Sequence, residues 1–169
     1  MDRLQKVYFK LKRDRHGYPP DDWESLWARK VNSDILEIDN IPFYAKGVSS
    51  EDLVRVEVVG GRSEFREVLK PSGNSVLRLY IFDKEKVASV RSRLRSMGVE
   101  SELSDILHLI ALEIPRSQNA RPVLSFLQEG KEDGAWDIQE GVLRHTLGLT
   151  GVAGGPLIGR VGNPDQEKP

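Results

Sequence analysis

The chain has 169 residues, 38% of them hydrophobic, which suffices for one compact domain or two small ones sharing an interface. Its 25 Lys and Arg against 26 Asp and Glu leave a formal net charge of -1, so no global field steers it toward nucleic acid or an anionic membrane. The absence of cysteine excludes a disulfide framework, a thiolate nucleophile and a cysteine metal site. The charged, alternating opening MDRLQKVYFKLKRDR lacks the apolar run of a signal peptide, and no run of about 18 apolar residues follows, so a soluble cytoplasmic protein is expected.

Val7 to Lys12 reads as a first strand, and Arg13 to Pro20 as a turn-rich connection. From Asp21 to Ala28 a short helix capped by Asp21 competes with a strand in which Trp23, Ser25 and Trp27 alternate against Glu24, Leu26 and Ala28; the alternation favours the strand. Ile35 to Ile38 continues as a strand into Asp39-Asn40-Ile41-Pro42, where the proline sets an extended approach and a turn that Asn40 caps. Phe43 and Tyr44 then face opposite sides of an extended segment, one toward a core and one toward solvent or a partner. Gly47 and the polar run Ser49 to Asp52 lead into a half-buried strand from Leu53 to Val58. Gly60-Gly61 marks a hairpin, and Ser63 to Leu69 is the returning strand. Five or six short strands in the first seventy residues suit a small barrel.

Beyond Lys70-Pro71-Ser72-Gly73-Asn74 the rhythm changes. Val76 to Phe82 is a strand, Asp83 an N-cap, and Val87, Val90, Leu94 and Met97 form a helical face that Gly98 ends. Val99 to Leu103 and Ile106 to Ile114 are strands. A second helix begins near Asn119 with Val123, Phe126 and Leu127 on one face and Gly130 after it, and Trp136 to Leu143 is a last strand. The order βαββαβ predicts a ferredoxin-like unit. Ile106 to Leu112 is apolar on both faces, so the sheet face opposite the helices needs a cover, either the N-terminal unit or a second copy of the chain. The expected class is therefore α+β: a small β-barrel-like unit at 1–70, packed on a ferredoxin-like unit at 75–149. A flexible Gly- and Pro-rich tail follows at 150–169.

No reaction is legible. His16, His108 and His145 lack metal-ligand spacing, and His108 reads as satisfying a buried hydrogen bond. Asp21, Asp22, Glu24 and Asp39 qualify as a hydrolytic carboxylate pair only if they converge in space. Ser72 to Ser75 lacks the lysine and glycine spacing of a phosphate loop, and the glycines at 154, 155 and 159 form no dinucleotide fingerprint. Arg91, Arg93 and Arg95 spread over a solvated helix face and would need Lys10, Lys12, Arg13 and Arg15 beside them to bind nucleic acid, which is not expected. The aromatics Trp23, Trp27, Phe43 and Tyr44 are the best binding candidates, with a barrel core as the competing account.

The blocks Glu24-x-Leu26-Trp27-Ala28, Asp39 to Ala45 with Gly47-Val48-Ser49, Asp52-x-Val54 and Ser72-Gly73-Asn74-Ser75-Val76-x-Arg78 resemble a bacterial family described only as a domain of unknown function. The resemblance spans about Val7 to Leu143 and implies a bacterial source and the two-part layout. It implies no activity, catalytic residue, metal or cofactor. A shared site would fall on Trp23, Glu24, Trp27, Asp39, Asn40, Phe43, Tyr44, Ser72, Asn74 and Arg78. The resulting expectation is a non-enzymatic binding protein that engages a partner protein as an antagonist or accessory factor through the aromatic corner and the Ser72 to Arg78 junction, with a homodimer left open. A small-molecule sensor or sequestering protein is the alternative. An enzyme using Glu24 or Asp39 as base, with Arg78 as electrostatic partner, is the third reading.

Overall fold

In the computed structural model, which describes residues 3–145, the chain is mixed α+β and mostly strand, with two largely antiparallel sheets and two helices. The tail expected from Thr150 lies outside the described residues.

The first sheet joins β1 (Leu4–Lys10), β2 (Trp23–Lys30), β3 (Ile35–Ile38), β4 (Leu53–Val59) and β5 (Arg62–Lys70) in sequence order, each antiparallel to the next. β1 also pairs with β5, in parallel, at Val7↔Ser63 and Tyr8↔Glu64, so the two ends of the sheet meet. Period-two alternation turns Val7, Phe9, Leu26, Ala28, Leu36, Ile38, Val54 and Val56 into one core. Trp27 takes the outer face under the Lys6 ammonium, and the Arg62 guanidinium lies over both Tyr8 and Trp23. Gly60 and Gly61 have φ of 56° and 81°, the doubly left-handed turn that matches strand twist in a two-residue hairpin.

The second sheet has the spatial order β7 (Glu100–Leu103), β8 (Leu109–Ile114), β6 (Ser75–Ile81), β9 (Trp136–Val142), with every neighbouring pair antiparallel. Helices α1 (Val87–Ser96) and α2 (Ala120–Glu132) bury Val90, Leu94, Val123, Leu124 and Leu127 against Leu77, Leu79, Ile81, Ile110, Leu112 and Ile114. Asp83 caps a 3-10 turn (Lys84–Lys86) that feeds α1, and Asn119 caps α2 by accepting from the Arg121 N–H. Pro122 sits in the first turn of α2, where a missing N–H removes no helical bond.

Several boundaries differ from the sequence expectation. β1 starts at Leu4. Ile106 to His108 form the β7–β8 turn, closed by Ser104 N–H donating to Leu109 O and Ile106 N–H to Ser104 Oγ, with His108 at φ 75°. A continuous apolar run carries no mark of where a hairpin reverses, and here the polar Ser104 sets the point. Gly130 lies inside α2 and does not end it; the stop is Gly134 at φ 71°. Gly130 is there because the Trp136 indole packs onto the helix backbone, leaving a Cβ only 1.9 Å from Trp136 Cζ2.

The sheet face opposite the helices is covered by the segment between β3 and β4, whose Ile41 and Phe43 pack on Val76, Ala111 and Val142. Among the described residues no helix is long and apolar enough to cross a membrane. Gly130→Ala is expected to cost about 1–3 kcal/mol through overpacking, with a lower urea midpoint and unchanged slope in chemical denaturation.

Candidate functional site

Residues 39–52 form no strand, yet Ile41, Ala45, Val48, Ser49 and Asp52 are buried, so their backbone polar groups need partners. Charged side chains from distant strands provide them. Glu24 shares the inward face of β2 with Leu26 and Ala28, at the end of the core. Its Oε1 accepts from Phe43 N–H at 2.6 Å, and its Oε2 from Tyr44 N–H at 2.9 Å and Ala45 N–H at 2.7 Å. From the opposite side Arg78, on β6, donates through one nitrogen to Ala45 O at 2.5 Å and to Pro42 O at 3.4 Å. Arg78 is 1% exposed, and its Nε and its other terminal nitrogen have no hydrogen-bond partner among the described residues. Burial pulls the guanidinium below its ordinary pKa, while the charges of Glu24, Tyr18 and Tyr44 push the other way.

A second cluster holds the end of the same segment. Asp52, fully buried, accepts from Ser49 and Ser72 N–H groups and takes a two-pronged ion pair from Arg144, at 2.6 Å and 2.8 Å. Ser72 Oγ meets Ser49 Oγ at 2.9 Å, and Asn74 bridges Glu113 Oε1, Ser50 O and the Arg116 N–H. Glu113 also accepts from the Ser50 N–H and hydroxyl. Ser75 Oγ accepts from the backbone N–H groups of Arg144 and His145 and meets His145 Nδ1 at 2.6 Å, while His145 Nε2 faces Pro115 O at 2.9 Å. Both ring nitrogens are thus engaged internally, and Ser75 is buried.

The two buried carboxyls titrate in opposite senses. Burial raises Asp52, but Arg144 and the Ser72 and Ser49 amides outweigh it and hold the group below its ordinary value; burial of Glu113 prevails over its hydrogen bonds and pushes it up. The Asp52 contribution is therefore complete above the ordinary unfolded value of about 3.9 and lost as pH falls through the lower folded value. Protonated Glu113 favours the fold, and that contribution is lost as pH rises from its ordinary value through the raised one. Asp52→Asn, which strands the Arg144 charge, is expected to cost about 3–5 kcal/mol at pH 7 and to flatten the loss of stability that the parent protein shows below about pH 4 in acid unfolding.

Beside the corner opens a cleft of ≈ 430 Å³, walled by the end of β1 and the loop after it, by Tyr18 and Pro19, by Tyr44 to Lys46, by Phe65 and by Gln139 of β9. Tyr18 and Tyr44 meet edge to face at 5.8 Å, and Phe9 stacks on Phe65 at 4.7 Å. The Tyr18-Pro19 peptide is cis. Both tyrosine hydroxyls are pushed up, first by burial.

Of the sequence candidates, Glu24, Phe43, Tyr44 and Arg78 gather at the corner. Ser72 and Asn74 join the Asp52–Glu113 cluster, Asp39 pairs with Arg29 at 2.6 Å, and Asn40 accepts from the Trp27 N–H at 2.8 Å. Trp23 and Trp27 stand on β2 under the cations described above. His108 Nδ1 donates to Ile81 O at 2.7 Å, and His16 lies beside Arg15. Asp22 pairs with Arg13 and Arg91 bonds Ser101, so neither joins the corner. Among the described residues no three His, Asp or Glu side chains gather to hold a metal ion. Sequence reasoning missed Tyr18, Lys46 and Gln139; the Tyr18-Pro19-Pro20 run was the available signal for the first.

Glu24→Ala removes the acceptor of three amides at once and is expected to cost about 3 kcal/mol. Hydrogen exchange should then show the Phe43, Tyr44 and Ala45 amides losing protection ahead of the strands, and retained protection there would refute the role given to Glu24.

The fold has a solved counterpart. A crystal structure titled as a novel structure of a hypothetical protein from Neisseria gonorrhoeae is similar at a TM-score of 0.69 and 17% sequence identity, covering 86% of this chain and 98% of that one. None of the curated proteins matches the chain. The family model described as Domain of unknown function (DUF4265) matches residues 24–138, a span holding the corner, Arg78 and Glu113, and the chain belongs to that family.

Proposed function

We propose that this is a non-enzymatic binding protein that takes up a small molecule in the cleft beside the corner. Its N-terminal sheet acts as a small barrel, supported by the β1–β5 pairing, and its C-terminal layer as a ferredoxin-like unit, supported by the order β7-β8-β6-β9. The observation that carries the reading is the cleft itself: a concave site of ligand size, walled by four aromatic rings, with a buried and incompletely bonded arginine directly behind it. Arg78 bonds the carbonyl of Ala45, a wall residue, and pairs along the sheet with Gln139, another. The groups an enzyme would need are otherwise engaged. Glu24 spends both oxygens on backbone N–H groups, and Asp14, at the cleft, accepts from the His16 and Tyr18 amides.

A partner protein is the second reading, favoured by a different surface from the corner. Tyr80, Phe82 and Leu107 are exposed together at the far end of the second sheet, with Tyr80 packed against both Phe82 and His108.

Gentle isolation of the tagged chain followed by native mass spectrometry tests the two. A retained mass on the order of a few hundred daltons, lost in Lys46→Glu, is expected for the cleft. A bare chain, with a stoichiometric protein partner whose capture survives Lys46→Glu and disappears in Phe82→Glu, would replace the cleft with the Tyr80–Phe82 surface.

A further inference from the structure

The cleft carries charge as well as shape. Lys10, Lys12, Lys46 and Arg13 line it, against the single carboxylate of Asp14. Arg13 is paired with Asp22 at 3.0 Å, whereas the three lysines make no ion pair among the described residues. In a chain of net charge -1 this is a concentrated local excess of cations. Behind the wall Arg78 adds a permanent charge that contacts two carbonyls and no carboxylate. The nearby Glu24 carboxylate attracts this charge but spends both oxygens on backbone amides, so a positive potential remains that water screens poorly, and Ala45 and Gln139 place the guanidinium against the cleft wall. The rings of Tyr18 and Tyr44, and the Phe9–Phe65 stack, offer flat apolar surface in the same space.

Resting on the cleft reading above, we infer that the ligand is a small anion carried on a planar ring: an aromatic carboxylate, sulfonate or phosphate ester. Its acidic group is neutralised by Lys12 and Lys46 in the field of Arg78, and its ring lies against the tyrosines. The cations make binding depend on ionic strength, and the rings make it depend on the aromatic portion.

The test is an amide chemical-shift titration of the full chain with three probes: naphthalene-2-sulfonate, neutral 2-naphthol and methanesulfonate. The sulfonated ring is expected to shift Tyr18, Tyr44, Ala45 and Gln139 at a concentration about tenfold lower than naphthol, with methanesulfonate inert over the same range. Naphthol binding the cleft as tightly as the sulfonate would overturn the anion while leaving the cleft as a small-molecule site. Methanesulfonate matching the sulfonate would overturn the ring. Three probes that leave these four amides unmoved would overturn this inference and the cleft reading together. Arg78→Gln removes a buried group and risks the fold, so the charge is tested on the surface: Lys12→Gln with Lys46→Gln should weaken the sulfonate about tenfold and leave naphthol unchanged. An unchanged sulfonate affinity in that double variant would also overturn it.

Discussion

One constraint organises the molecule: a stretch of irregular backbone is buried between two sheets, and its N–H and C=O groups are answered from opposite sides by a carboxylate and a guanidinium. Glu24 reaches up from the first sheet to the amides of Phe43 to Ala45, and Arg78 reaches across from the second to the carbonyls of Pro42 and Ala45. Each charge is placed where the backbone dipole faces it, which is why the segment needs neither strand nor helix to be satisfied. Because one residue, Ala45, is held by both, the corner fixes the two sheets relative to each other. The Asp52, Glu113 and Arg144 cluster repeats the device at the end of the segment. There Ser50 is tied to β8 and Ser49 to the chain beyond β9.

This arrangement explains which parts of the fold were legible from residues alone. Strands β2 and β4 follow from alternation, and Gly60-Gly61 names its own turn, because both signals are local. α1 and α2 follow from the spacing of Val90 and Leu94 and of Val123 and Leu127, with Asn119 capping α2 and Asp83 capping the 3-10 turn that precedes α1. Gly130 was misread as a helix stop because its reason is a tertiary contact with Trp136, and the start of β8 because an unbroken apolar run has no internal punctuation. The corner is a different case. Its proline, paired aromatics and glycine marked a special backbone, but nothing near Glu24 in sequence says that its carboxylate will meet amides some twenty positions away. Charge pairing with distant backbone leaves no periodic trace. The Ser72 to Ser75 block likewise reads as linker chemistry locally and becomes a bracket only when Asp52, Glu113 and His145 are beside it.

The two buried cations of the interface are treated differently, and the difference bears on function. Arg144 meets Asp52 in a two-pronged pair, so its desolvation is offset by a full opposite charge. Arg78 is more deeply buried and contacts only carbonyl oxygens. Two carbonyls ask for no more than a neutral donor, so the bonds themselves do not call for a permanent charge taken out of water. Nor can the group escape by losing its proton, since a guanidinium stays charged in proteins. The charge at Arg78 is thus in excess of what holding the corner requires. On the proposed reading, an anion carried on a ring and seated in the adjacent cleft offsets part of that charge. Fold and the proposed binding would then draw on the same residue: the hydrogen bonds of Arg78 build the wall, and its charge contributes to the field on the other side of it.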